Sequence, residues 1–237
     1  MFDHREVGRD LDLFHIQEEA AGSIFWHENG WFLYNQIKEY IRAIQNKYGY
    51  REVNTPQMVN RSLWEKSGHW ENYSHNMFCV AVDGEETQYA LKPMNCACHA
   101  QIFNRKVVSY KQLPIRYSEF GTCMRNESSG SLSGLMRVRS FVQDDAHIFC
   151  KEDQILSEVQ AFSEMVNEVY YHFGFREILV KFSTRPDKSA GSDEQWERAE
   201  GALKDACEAA GLNYEIQPGE LAFFRIPSTI LYITIVY

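Results

Sequence analysis

Residues 115–149 constrain the fold more than any other stretch. Residues 115–125 and 136–149 are extended in pattern, and residues 126–135 between them are rich in serine and glycine. Two strands joined so closely pair antiparallel, because a parallel partner needs a crossover of about a dozen residues or more. The other elements have to pack around that pair. Residues 30–48 place Trp31, Tyr34, Ile37, Ile41, Ile44 and Tyr48 at steps of three and four and stop at Gly49, which predicts a helix. Residues 152–173 predict a second, with Ile155, Val159, Phe162, Val166, Val169 and Phe173 on one face and Gly174 after it. Residues 51–56 are short and extended, and Pro56 ends regular pairing. Residues 77–82 and 87–91 flank Asp83-Gly84, a hairpin signal. Asn95 is placed to cap a helix reaching about residue 104. Residues 177–183 read as a strand, and Ser192-Asp193-Glu194 opens a helix that ends at Gly211. Strands on short turns with helices in blocks predict an α+β fold, a largely antiparallel sheet flanked by helices.

The chain has 237 residues, room for one large domain or two small ones. It is 44% apolar and 24% charged, which excludes disorder and low complexity. No run approaches the ~18 apolar residues of a membrane span. The first residues lack the apolar core of a signal peptide, so a cytoplasmic protein is expected. In that setting the six cysteines are reduced thiols or metal ligands, with Cys150 and Cys207 as packing residues. The net charge of −9 means that nucleic acid would be met only through a local basic surface.

Candidates for such a surface are present. Arg116, Arg125, Arg137 and Arg139 lie on or beside the two central strands. A guanidinium grips phosphate bidentately, a carboxylate such as Glu127 can accept from an exocyclic amine, and Phe141 can stack on a base. Together they suit a nucleotide. The same residues would also make a solvated strand face with ordinary ion pairs, and the pattern alone leaves both readings open.

The runs LDLFHIQEEA, FWHENGW, LWEKSGHW, LKPMNC, EFGTCMRNE, SGSL, GLMRVR, QDDAHIFC, STRP and GSDEQWERAE change that balance. They resemble class II aminoacyl-tRNA synthetases of the threonyl type, over about residues 3–223. The resemblance implies an antiparallel class II catalytic core that activates threonine with ATP and Mg2+ and transfers it to tRNA. It places Arg125 on the ATP α-phosphate as the catalytic cation, Glu127 on the adenine amine, Arg137 on the γ-phosphate and Phe141 under the adenine. It implies a zinc ion that chelates the amine and hydroxyl of threonine, with Cys96 and His147 as two of three protein ligands. Met94, Gln143 and Asp145 match residues lining the amino acid pocket. Residues 34–56 match the motif that forms a homodimer seam in this class, although an ordinary core helix would show the same periodicity.

The chain also departs from that pattern. Where the family has Cys-Pro-Gly-His, it has Cys96-Ala97-Cys98-His99, which adds a thiol that could compete for metal. After Ala222-Phe223 the family's Tyr-Gly-Pro-Lys is replaced by Phe224-Arg225-Ile226-Pro227, and the resemblance ceases. Residues 224–237 then form a divergent apolar tail whose STILYITIVY segment suits a buried central strand. No counterpart of the third conserved motif, with its arginine and its third zinc ligand, and no editing or anticodon-binding domain is recognisable. The expectation is therefore a core fragment, incomplete at its C-terminus, with a weak or partial zinc site and impaired or absent charging of tRNA. The alternatives are a non-catalytic ATP- or amino-acid-binding paralogue and a decayed gene product.

Overall fold

The computed structural model describes residues 3–84, 86–186 and 192–219. The tail expected over 224–237 lies outside the described residues. In chain order the elements are α1 (His4–Asp10), β1 (Phe14–His15), β2 (Phe25–Trp26), α2 (Glu28–Lys47), β3 (Arg51–Glu52), β4 (Met58–Asn60), α3 (Arg61–Lys66), α4 (His69–Tyr73), β5 (Cys79–Ala81), β6 (Gln88–Leu91), α5 (Cys96–Asn104), β7 (Ile115–Met124), β8 (Ser140–Phe149), α6 (Ile155–His172), β9 (Val180–Ser183), α7 (Asp193–Ala209) and β10 (Tyr214–Gln217). None of the described helices is long and apolar enough to cross a membrane.

β7 and β8 pair antiparallel along their whole length, from Ile115 opposite Phe149 to Met124 opposite Ser140. The expected hairpin across Asp83-Gly84 forms as β5–β6, and β4 adds to the other side of β6, also antiparallel. The sheet is not antiparallel throughout: β3 joins β7 in parallel, and β9 pairs with β10 in parallel. In both cases a helix intervenes in the chain, α5 before β7 and α7 before β10, which supplies the crossover that parallel pairing requires.

The pleat gives the β7–β8 pair two faces with different work. Even-numbered side chains face α2 and α6. Arg116 forks onto Glu158 of α6 at 2.5 and 2.6 Å. Phe120 lies beneath the cations of Lys38 and Arg42 on α2, and Asp144 accepts from the Gln45 amide. Ile148 closes the main core with Ile44, Ile155, Val159, Met165 and Phe182. Cys150 and Cys207 belong to that core, as packing residues should.

Two helices depart from their expected faces. On α2 the apolar stripe divides: Ile44 is buried, but Trp31 and Ile37 are each half exposed, and Phe32 and Leu33 beside them are also exposed. Phe173, at the end of α6, is exposed as well. Residues 3–27 form α1 and a small β1–β2 hairpin. They reach the loop after β7, where His4 Nε2 accepts from the Leu135 amide at 3.0 Å and the Gly22 carbonyl accepts from the Arg139 amide at 2.6 Å.

Candidate functional site

Odd-numbered residues of β7 and β8 make the other face, and α5 begins above it. The register sets Cys123 opposite Phe141, Gly121 opposite Gln143, Glu119 opposite Asp145 and Tyr117 opposite His147. Phe141, Gln143, Asp145 and His147 therefore form one row, as a period of two requires.

Asn95 fixes how α5 approaches this row. It occupies the N-cap position, but its side chain makes no capping bond, contrary to expectation. Instead its Nδ2 donates to Asp145 Oδ2 at 2.9 Å, and the residue is fully buried. Gly121 makes this possible: a Cβ there would lie 2.2 Å from Asn95 Oδ1. Next to it, the Cys123 thiol donates to Gln143 Oε1 at 3.3 Å. Met94 precedes Asn95 and is half-buried.

Cys96, at the start of α5, meets Asp145 and His147. One ligand atom from each lies within 4.8 Å of the others, the only such group among the described residues. A thiol, a carboxylate and an imidazole are all zinc donors, and the separation suits a single ion. Burial lowers the proton affinity of His147, to a value of about 4, which leaves the neutral imidazole that ligation needs. Burial pushes the Cys96 thiol well above its ordinary value, so its deprotonation awaits a cation. The donor set fits zinc, with one revision. Asp145, expected only as a pocket residue, offers a carboxylate oxygen within the same 4.8 Å group, and the expected competitor, Cys98, points elsewhere. It packs with Trp64, Met77, Ala90 and Ala97.

Behind the donors lies a buried polar network that the sequence reading did not find. Lys92 and Glu119 are each 1% exposed at the side chain and pair at 3.1 Å. Glu119 also accepts from the Thr55 amide at 2.9 Å, from the Thr55 hydroxyl at 2.9 Å and from His99 Nε2 at 2.9 Å. His99 Nδ1 and His147 Nδ1 are 2.8 Å apart. Burial alone would raise the Glu119 carboxyl, but the hydrogen bonds from His99, Thr55 and Lys92 override it and hold it at about 2. A signal was available: Glu119 occupies an inward position of a strand otherwise lined by small or apolar groups.

At the other end of the row are the arginines. The Arg125 guanidinium lies over the Phe141 ring, 5.0 Å from its centroid, and Nε donates to the Pro93 carbonyl at 3.3 Å. Arg137 Nε donates to Glu127 Oε2 at 3.0 Å. Arg139 Nε donates to the Glu127 carbonyl at 2.9 Å and so ties the loop to the strand. The structure thus brings Arg125 to Phe141 and Arg137 to Glu127. Arg116, also counted among the basic residues, is on the opposite face with Glu158.

Comparison with known proteins defines the class. Residues 78–217 match the family model "tRNA synthetase class II core domain (G, H, P, S and T)", and the chain belongs to that family. Among the curated relatives, the threonine–tRNA ligase of Azoarcus sp. (strain BH72) is 59% identical over 222 residues, which are 94% of this chain and 34% of that protein. A solved structure titled as the RNA binding domain of threonyl-tRNA synthetase from Cryptosporidium parvum Iowa II superposes with a TM-score of 0.85 at 42% identity. It covers 93% of this chain and 55% of that one. A threonyl-tRNA synthetase structure from Aeropyrum pernix gives 0.82 at 30% identity, over 94% of this chain and 54% of that one. The chain spans about a third of the length of the curated relatives it matches.

Proposed function

We propose that this chain carries the ATP- and threonine-binding surface of a cytoplasmic threonine–tRNA ligase. The single observation behind the reading is the row on β8, with a cation–aromatic pair at one end and a thiol–carboxylate–imidazole cluster at the other. In this reading ATP is bound, with Mg2+, by Arg125, Glu127, Arg137 and Phe141. Its adenine slides onto Phe141 in place of the Arg125 guanidinium, which turns to the α-phosphate. Its phosphates and amine draw apart the exposed Arg137–Glu127 pair, an exchange of low cost because such pairs contribute only about 0–1 kcal/mol. Attack of a carboxylate on the α-phosphate builds negative charge there, and a fixed guanidinium stabilises it.

Threonine sits toward Met94, Gln143 and Asp145. A zinc ion held by Cys96 and His147, with Asp145 as a further donor, would supply a Lewis-acid contact to its amine and hydroxyl. Asn95 orients Asp145 for either task. The domain reading is a class II core over residues 1–223 and a divergent tail over 224–237.

For the chain by itself we propose binding without measurable charging of tRNA, so that it is impaired as an enzyme. Phe224 and Pro227 replace the tyrosine and lysine of the family pattern, and a net charge of −9 opposes a polyanion. Calorimetric titration of the zinc-loaded chain with ATP and with threonine, beside ATP–pyrophosphate exchange and tRNA charging, tests this. Saturable binding of both ligands is expected, with no charging above the no-enzyme control. Absence of binding by either ligand refutes the reading. Charging that Arg125→Ala abolishes refutes the impairment.

The exposed Phe25, Trp26, Trp31, Phe32 and Ile37 support a homodimer through α2 and the β1–β2 hairpin, since isolated monomers rarely leave so many large apolar side chains together in water.

A further inference from the structure

We propose that His99 is a positioning residue for the metal site, acting with Glu119 to fix the tautomer and the ring orientation of His147. The inference rests on the zinc reading above and extends it to a residue that touches neither substrate nor metal.

The Glu119 carboxylate is surrounded by donors: Thr55 through its amide and hydroxyl, Lys92 through its ammonium, and His99 through Nε2. An ionised carboxylate accepts only, so Nε2 of His99 carries a hydrogen. Lys92 already balances the Glu119 charge, and in the zinc reading the nearby Asp145 carboxylate is taken by Asn95 and the metal, so a doubly protonated His99, fully buried, would set an uncompensated positive charge beside a dication. His99 is therefore the neutral tautomer with its lone pair on Nδ1. That lone pair faces His147 Nδ1 at 2.8 Å, and two lone pairs at that distance would repel. His147 therefore carries its hydrogen on Nδ1 and its lone pair on Nε2. The rings meet nearly edge to face, at 83°, so rotation of His147 about its axis breaks the bond. One carboxylate thus sets two imidazoles in series, and the second presents Nε2 as the ligating nitrogen. Carboxylates commonly play this part for metal-bound histidines directly. Here an intervening histidine carries it across the gap between the buried Glu119 and His147.

Two conservative variants separate this role from simple packing. An asparagine at 99 places its amide oxygen near the position of Nδ1 and still accepts from His147, but it cannot reach Glu119. A glutamine places its amide near Nε2 and still donates to Glu119, but offers His147 nothing in register. Zn2+ affinity of the unmodified chain and of His99→Leu, His99→Asn and His99→Gln is measured by competition with a chromophoric chelator. The visible spectrum of the Co2+-loaded proteins reports geometry, and thermal melting without metal reports folding.

The unmodified chain should bind one Zn2+. His99→Leu should bind about 10- to 100-fold more weakly, the usual effect of removing an orienting partner. His99→Asn should regain most of the affinity and the unmodified Co2+ spectrum while melting lower. His99→Gln should regain melting temperature but not affinity. The opposite ranking, with affinity following melting temperature through the glutamine variant, overturns the proposal, as does unchanged affinity in a folded His99→Leu. If the leucine variant does not fold, the order of asparagine and glutamine still decides. Failure of the unmodified chain to bind Zn2+ overturns the metal reading itself, and the relay with it.

Discussion

Replacement of Glu119 by glutamine tests the buried network most directly. The carboxyl is held at about 2 instead of its ordinary 4.5. At ~1.4 kcal/mol for each tenfold change in proton affinity, that preference is worth about 3 kcal/mol of stability at neutral pH. Breaking one side of a buried ion pair costs roughly 3–5 kcal/mol by an independent route. The two figures agree, because Glu119→Gln keeps an acceptor for Thr55 and a partner for His99 but leaves the Lys92 ammonium buried and unmatched. For a chain of this size, at about 2–4 °C per kcal/mol, the loss should lower the melting midpoint by roughly 6–20 °C. Combining it with Lys92→Met should restore part of the loss, since the stranded charge then disappears. The pH dependence has a fixed sign. A carboxyl depressed in the folded state stabilises fully above about pH 4.5, and that stability is lost as pH falls from there toward 2. The gap between the unmodified chain and Glu119→Gln should therefore narrow below pH 4.5. Urea melts at pH 7 and pH 3.5, run on the single variants and the double, provide the measurement. A single variant as stable as the parent, or a double variant showing the full sum of the two single losses, would refute the reasoning.

Three other outcomes are expected. Arg125→Ala should weaken ATP by roughly 1.5–3 kcal/mol, the range for a hydrogen bond to a charged group, read by calorimetry; an unchanged dissociation constant removes Arg125 from the site. Gly121→Ala sets a methyl 2.2 Å from Asn95 Oδ1, so it should cost about 1–3 kcal/mol in a thermal melt and weaken threonine more than ATP; equal loss for both ligands would contradict the division of the row. Trp31→Glu should shift a dimer to monomer in sedimentation velocity while leaving circular dichroism unchanged, and a parent that is already monomeric at tens of micromolar would count against the homodimer.

The sequence disclosed the frame of the molecule where periodicity was strong. The long helices came out at 28–47 and 155–172 against expected 30–48 and 152–173, and the central strand pair was found because both strands are long and joined locally. The arginines and their neighbours were legible through motifs. What stayed hidden depended on contacts distant in sequence. Asn95 looked like a helix cap because it stands at the right place, but a half-buried carboxylate fifty residues on competes for its amide and wins. The divided face of α2 could not be read either, since a helix that buries its stripe against a second subunit and one that buries it against its own core have the same spacing. Lys92, Thr55, His99 and Glu119 come from four separate segments, and only the folded chain shows that each answers another's charge.

The straight row on β8 also bears on how a family can diversify. At about 3.4 Å per residue, Phe141 and His147 stand roughly 20 Å apart on one rigid strand. A substitution at one odd position changes a single chemical function and leaves the spacing of the others untouched. The end proposed here for adenine can therefore stay as it is while the end proposed for the amino acid is rewritten. Such a strand behaves as a modular backbone for descent, and a family model whose name spans five amino acids is what that modularity leads one to find.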